Sequence, residues 1–168
     1  MAGYNTKTFE KHDDYMTPKS AWENIIEYIP KDKEIWEAFY GDGKSGQYLK
    51  EMDLNVIHED IDFFENDLGE MVLSNPPFSL ASDIVTRLVS LDKPFILILP
   101  TYVLITQYFR KLFSDNDNSI QIIIPRKRIQ FVKTVNGVVP KDYKSKCNFD
   151  CFYYCYKIDL KSDIIWLE

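Results

Sequence analysis

Four residues in the middle of the chain, Asn75-Pro76-Pro77-Phe78, have the types and the order to grip and orient an amine. They follow a short apolar run, Met71-Val72-Leu73, and Ser74, and they precede a helix-like segment starting near Ser79. That places them where a strand runs out at the edge of a sheet, which is where open α/β sheets bind ligands. Two prolines in a row hold two φ angles near −65° and remove two backbone donors. Proline also biases the preceding Asn75 away from the helical region. The loop is therefore stiff, and the Asn75 side-chain oxygen and the Pro76 carbonyl are two acceptors that can meet at one point. An exocyclic amino group such as that of adenine offers two N–H donors to such a pair. Phe78 adds a face on which a planar group can stack. This constellation suits methyl transfer to a weakly nucleophilic, conjugated nitrogen.

The elements that position this loop can be read in order. Residues 1–14 are polar and expected to be flexible. Thr17-Pro18 reads as a helix N-cap with proline at the first helical position, and Ser20 with Glu23 as an alternative capping box. Trp22, Ile25, Ile26 and Ile29 recur at helical spacing, and Pro30 closes the helix. Glu34–Tyr40 reads as the first strand. It runs into the glycine-rich turn Gly41-Asp42-Gly43-Lys44-Ser45-Gly46, which lets a ligand approach the backbone. A short helix with Tyr48, Leu49 and Met52 follows. Asn55–Glu59 is the second strand, and an acid at its end is placed to hold ribose hydroxyls. Asp60 is the first choice for that role and Glu59 the near alternative. The stretch from Asp60 to Met71 is short for a full strand–helix–strand unit, so a third strand is expected to be reduced or absent. His58 reads as structural.

Beyond the central loop, Ser79 or Ser82 is expected to cap a helix carrying Leu80, Ile84, Leu88 and Leu91. Pro94–Pro100 is apolar throughout, as a buried parallel strand is. Tyr102–Phe113 reads as a helix, Ile120–Ile124 as a strand, Phe149–Ile158 as an aromatic strand and Ile164–Trp166 as a short terminal one. Asn136-Gly137, inside the loop 126–146, is a hairpin-turn signal. The fold expected is α/β, one mixed and mostly parallel sheet with helices on both faces, in a single domain over residues 1–168.

Composition narrows the classes. The 168 residues are 45% hydrophobic, enough for one real core. No run of about 18 apolar residues marks a membrane span. The N-terminal residues lack the basic and apolar regions of a secretory signal, so a cytoplasmic, nucleoid or viral-replication compartment is expected. Cys147, Cys151 and Cys155 lack paired C-x-x-C spacing and read as reduced, packed thiols, with Cys151, Tyr153 and Cys155 on one strand face; no metal site is expected. The net charge is −6, which does not favour binding phosphates. Yet Arg126, Lys127, Arg128, Lys133, Lys141, Lys144 and Lys146 face only Asp142 between residues 126 and 146. That stretch is either a nucleic-acid-binding patch or a solvated charged loop.

A rival reading attaches to the glycine turn. Ala38-x-x-x-x-Gly43-Lys44-Ser45 fits a relaxed phosphate-binding loop, with Lys44 on phosphates and Ser45 on magnesium, as in a nucleotide hydrolase. The strict pattern wants glycine at Ala38. It also wants an aspartate at the end of the strand that here ends in Asn75.

The central loop resembles the Asn-Pro-Pro-Phe/Tyr motif of amino-group methyltransferases that use S-adenosylmethionine. With Tyr15-Met16-Thr17-Pro18 and Phe39-Tyr40-Gly41-Asp42-Gly43 before it, most of the chain resembles a small DNA adenine-N6 methyltransferase of Rossmann-like fold. The resemblance implies that Asn75 and Pro76 hold the target amine, Pro77 stiffens the loop and Phe78 stacks on the base. It implies that Tyr15, Thr17 and Pro18 close over the methionine end of S-adenosylmethionine. Phe39, Gly41 and Gly43 would form the cofactor loop, and Glu37 would face the methionine part. Asp60 would take the ribose, Asp62 the cofactor's adenine amino group, and Phe63 would lie beside that ring. Arg126, Lys127, Arg128, Phe131 and Lys133 would contact nucleic acid, DNA first and RNA as the alternative, with Phe131 near the substrate cleft. The family's sequence-specific members carry a larger recognition region than residues 126–146 provide, so a partner subunit or a homodimer is a candidate source of specificity. The same motif also serves RNA adenine and protein glutamine methyltransferases. A non-catalytic subunit that keeps the cofactor fold is a further alternative.

Overall fold

The computed structural model describes residues 15–116, 118–134, 138–139, 141 and 149–168. Residues 1–14, the Asn136-Gly137 turn, Asp142, Lys144, Lys146 and Cys147 lie outside the described residues. Seven strands form one mixed sheet: β2 (Ile35–Trp36), β3 (Val56–Ile57), β4 (Met71–Ser74), β5 (Phe95–Pro100), β6 (Gln121–Ile124), β8 (Cys151–Tyr156) and β9 (Ile164–Trp166). Their spatial order is β3-β2-β4-β5-β8-β6-β9, and only β8 runs against the rest. A separate two-stranded ribbon pairs β1 (Tyr15–Met16) with β7 (Val132–Lys133). Among the described residues no helix is long and apolar enough to cross a membrane.

The sheet is buried on both faces, and alternation along the strands assigns each side chain. Ile96, Ile98, Cys151, Tyr153 and Cys155 join one layer under α1 (Lys19–Glu23) and α2 (Lys44–Glu51). Phe95, Leu97, Leu99, Tyr154 and Tyr156 join the other under α3 (Ala81–Ser90) and α4 (Gln107–Phe113). The hydroxyls of Tyr153 and Tyr154, one in each layer, are satisfied, as burial demands. Tyr153 donates to the Ala21 carbonyl at 2.6 Å and Tyr154 to the Pro100 carbonyl at 2.8 Å.

No strand lies between β3 and β4, as the short spacing predicts. Other expectations need correction. The first strand is two residues, not seven, because the chain leaves the ladder after the Glu37 amide bonds the Ile57 carbonyl. Neither Thr17 nor Ser20 caps the first helix; Pro18 holds the N-cap position in an extended conformation, and α1 gives way to a 3₁₀ turn at Ile26–Tyr28. No serine side chain caps α3, which follows a 3₁₀ turn at Phe78–Leu80. The helix expected over 102–113 is two pieces, because Thr106 is extended (ψ 148°) and ends a 3₁₀ turn before α4 begins.

Candidate functional site

Strand order decides where a ligand can lie. From β2 the chain crosses to β3 on one side, then returns to β4 on the other. The carboxyl ends of β2 and β4 therefore part at a topological switch point, where the flanking loops turn away and leave a crevice. A cleft open to solvent lies there. Its walls are Tyr15, Met16 and Thr17 from the ribbon, Glu37 to Asp42 after β2, Ser45 of α2, and Asn75 to Phe78 after β4, Ala38 excepted.

Asn75 is oriented by one bond. Its Nδ2 donates to the Tyr15 carbonyl at 3.0 Å. A carbonyl can only accept, so this contact fixes which end of the amide is nitrogen. Oδ1 is then buried, with no hydrogen-bond partner among the described residues. A buried acceptor without a donor is costly unless a ligand supplies one. The Leu80 amide closes the following turn on the Pro77 carbonyl, not on that of Pro76. Phe78 is half-buried, its ring set edge-on against Phe149 (5.3 Å) and Phe131 (6.3 Å).

Beneath the cleft lies Glu37, 1% exposed. The Ser74 hydroxyl and the Phe39 amide (3.3 Å) bond its Oε1. Burial pushes the carboxyl up to about 7, against the pull of hydrogen bonds from Ser45, Ser74 and the Phe39 amide. Ser45 in turn accepts from Trp22 Nε1 at 2.9 Å, which ties α1 to the floor of the site. Among the described residues, the walls offer the Glu37 carboxyl and the unpartnered Asn75 amide oxygen, and they contain no lysine or arginine. Such a surface favours a ligand that brings positive charge and N–H donors.

Each residue singled out in the sequence now has a place. Asn75, Pro76, Pro77, Phe78, Tyr15, Thr17, Glu37, Phe39 and Gly41 meet in the cleft. Gly41 takes φ +61°, and a Cβ there would sit 3.1 Å from the Met16 sulfur. Pro18 faces a neighbouring groove. Gly43, at φ +82°, is the left-handed N-cap of α2 under the Tyr40 ring and is not a wall. Asp60 is exposed just past β3 and outside the cleft walls. Asp62 is engaged locally, its Oδ1 accepting the Phe64 amide at 2.7 Å. Phe63 is core, 1% exposed and stacked on Trp36, so it cannot offer a ring face to a ligand. Phe131 is also 1% exposed and supports Phe78 from behind instead of opening on the cleft.

The basic residues divide. Arg126 and Lys127 are exposed beside a groove between α1 and β9. Arg128 is held by Asp150 through Nε (2.7 Å) and a second nitrogen (3.1 Å). Lys133 lies 5.8 Å from the centre of the Tyr15 ring. The phosphate-loop reading fits poorly, because Ser45 is bound to Trp22 and Glu37 and Lys44 leans on Asp42 at 3.6 Å. His58 packs flat on Tyr40, 4.6 Å between rings.

Sequence reasoning missed Ser74, Ser45 and Trp22 as one network with Glu37, and Met16 and Tyr40 as walls. Nothing local signals them, since contacts such as Trp22–Ser45 join distant elements. Set against models of protein families and against curated proteins, the sequence matches none.

Proposed function

We propose that this chain is an S-adenosylmethionine-dependent methyltransferase of Rossmann-like fold that modifies the N6 amino group of adenine in DNA. The observation that carries the reading is the orphaned, buried Oδ1 of Asn75 in a cleft that Pro76 also lines. The amine of an adenine has two N–H groups, and Oδ1 and the Pro76 carbonyl are two acceptors one residue apart on a loop that two prolines stiffen. Taking both hydrogens orients the nitrogen and draws its electron density out of the ring, which makes it a better nucleophile. Phe78, buttressed by Phe149 and Phe131, offers the base a face.

Walls without lysine or arginine among the described residues fit S-adenosylmethionine, which carries a positive sulfur and an ammonium group, better than they fit a phosphate. Glu37, Asp42 and the Tyr15–Thr17 segment would hold its methionine end, while Asp60 lies at the same edge of the sheet, beyond the walls. When bound, it supplies the methyl group. The chain's contribution is positioning and electrostatics. Asn75 and Pro76 aim the amine, and the Glu37 carboxylate sets a negative potential under the cleft. No side-chain base is needed, because the attacking nitrogen becomes acidic once it is alkylated. A duplex target requires the base to be flipped out, at a few kcal/mol.

The test is transfer of labelled methyl from S-adenosylmethionine to separate pools of DNA, RNA and cell protein, followed by digestion. Label in N6-methyladenine from DNA is expected. Label in RNA adenine or in glutamine keeps the chemistry and replaces the substrate. The absence of both transfer and S-adenosylmethionine binding overturns the reading.

A further inference from the structure

Strands β4, β5, β6 and β9 all run the same way, so the residues that follow them gather on one edge of the sheet. Walking outward from Asn75 at the end of β4, that edge carries Tyr102 after β5, Arg126 and Lys127 after β6, and Trp166 at the end of β9. Four strand spacings separate the first from the last, roughly 19 Å at about 4.8 Å each. Tyr102 is 56% exposed and Trp166 72% exposed. Neither Arg126 nor Lys127 has an ion-pair partner among the described residues. Between them, Arg128 neutralises Asp150, whose carbonyl accepts the Thr101 amide at 2.9 Å. Trp166 pairs with Ile124, and Arg126 comes two residues later. Besides Asp150, the acids Glu27 and Glu168 line the groove beside Arg126 and Lys127.

Two large exposed aromatic faces set about unpaired cations, on an otherwise acidic chain, form a specific combination. Aromatics that no core covers give unstacked bases a platform, and arginine and lysine between them take the phosphates. A duplex keeps its bases stacked and cannot use such platforms. We infer that the carboxyl edge of the sheet from Tyr102 through Arg126 and Lys127 to Trp166 is a track for single-stranded nucleic acid, holding the nucleotides that flank the base in the Asn75 cleft. The identity of that base rests on the function proposed above; the track itself does not depend on transfer.

The probe is an adenine-containing single-stranded oligodeoxynucleotide of about 20 nucleotides, titrated into the full chain and followed by dye anisotropy and tryptophan emission. Trp22 and Trp36 are 0% and 1% exposed, so quenching reports on Trp166. Quenching is expected in the parent chain and lost in Trp166→Phe. Trp166→Ala and Tyr102→Ala should each weaken binding about fivefold or more. Arg126→Glu with Lys127→Glu should weaken it further and flatten the slope of log affinity against log salt by about 1.4, two phosphate contacts' worth. Circular dichroism confirms that each variant folds, and Trp166→Phe keeps an aromatic if Trp166→Ala does not. Equal binding by all variants, or no quenching, overturns the track. So does a Trp166 emission shift that follows protein concentration without DNA, which assigns the surface to a second copy of the chain. Methyl transfer that ignores all four residues removes the track and leaves the methyltransferase; binding and quenching without transfer does the reverse.

Discussion

The Asn75 side-chain amide donates to the Tyr15 carbonyl at 3.0 Å, across 60 positions of sequence. This bond joins the loop after β4 to the β1–β7 ribbon and turns Oδ1 away from the Tyr15 carbonyl. One contact therefore sets both the shape of the cleft and the polarity of its central acceptor.

Asn75→Asp separates these two roles. Aspartate keeps an acceptor but has no N–H for Tyr15, so two oxygens face each other across the former bond. Transfer is expected to fall by roughly two orders of magnitude, as when one preorganised polar contact is removed from an active site. Stability should fall by about 1 kcal/mol for the lost hydrogen bond. Steady-state kinetics and urea titration read the two separately. Unaltered transfer would show that the amide's orientation is irrelevant.

Glu37 makes a pH prediction. Its carboxyl rises from 4.5 to about 7 through burial, so within that window the folded chain binds more proton than the unfolded chain. Stability is then greatest below about pH 4.5, as far as this group decides it, and declines as pH climbs through 7, by on the order of 3 kcal/mol. Glu37→Gln should flatten that decline in denaturant titrations at pH 5 to 8. A cationic ligand favours the carboxylate, so affinity for S-adenosylmethionine should strengthen as pH passes 7 in the parent and stay level in the variant. Parallel pH profiles for the two proteins would contradict the assignment.

Gly46 reverses the usual helix rule. It lies in α2, where alanine is ordinarily the better helix former by about 1 kcal/mol. Here an added Cβ would sit 2.0 Å from His58 Nδ1. Gly46→Ala is expected to lose about 1–3 kcal/mol to overpacking, and thermal melting measures it. The His58 Cβ would itself lie 2.6 Å away, so His58→Gly, which removes it, should restore part of the loss; an additive double variant would place the strain elsewhere.

Cys151 and Cys155 are buried, and burial pushes the Cys155 thiol far above its ordinary range. The thiolate is the reactive form, so both should resist a thiol reagent until the chain unfolds. Mass mapping of labelled peptides reads each position. Rapid labelling of either in the native state would mean that β8 opens locally.

What could be read in advance follows the range of the interactions involved. The apolar run Phe95–Leu99 and the aromatic run within Phe149–Ile158 have local causes, and strands form inside both, over Phe95–Pro100 and Cys151–Tyr156. Asn75 to Phe78 were legible because their types suffice to describe a stiff, acceptor-rich loop. Phe63 misled because a phenylalanine after a strand serves a core as readily as a ring-binding wall, and only the Trp36 and Phe39 rings beside it decide. The Glu37 floor was half legible: the acid was evident, while Ser74, Ser45 and Trp22 reach it only once β2, β4, α1 and α2 are assembled. The β1–β7 ribbon has two residues on each side, too short to leave any periodicity.

The most direct test compares the parent chain with Asn75→Ala in one tube design: adenine-containing DNA, methyl-labelled S-adenosylmethionine, and nucleoside mass analysis, with cofactor affinity measured by calorimetry on the same samples. The account predicts N6-methyladenine from the parent, loss of at least about a hundredfold in the variant, and cofactor affinity retained within a few fold. Equal N6-methyladenine from both proteins, or label at any other atom, would contradict it.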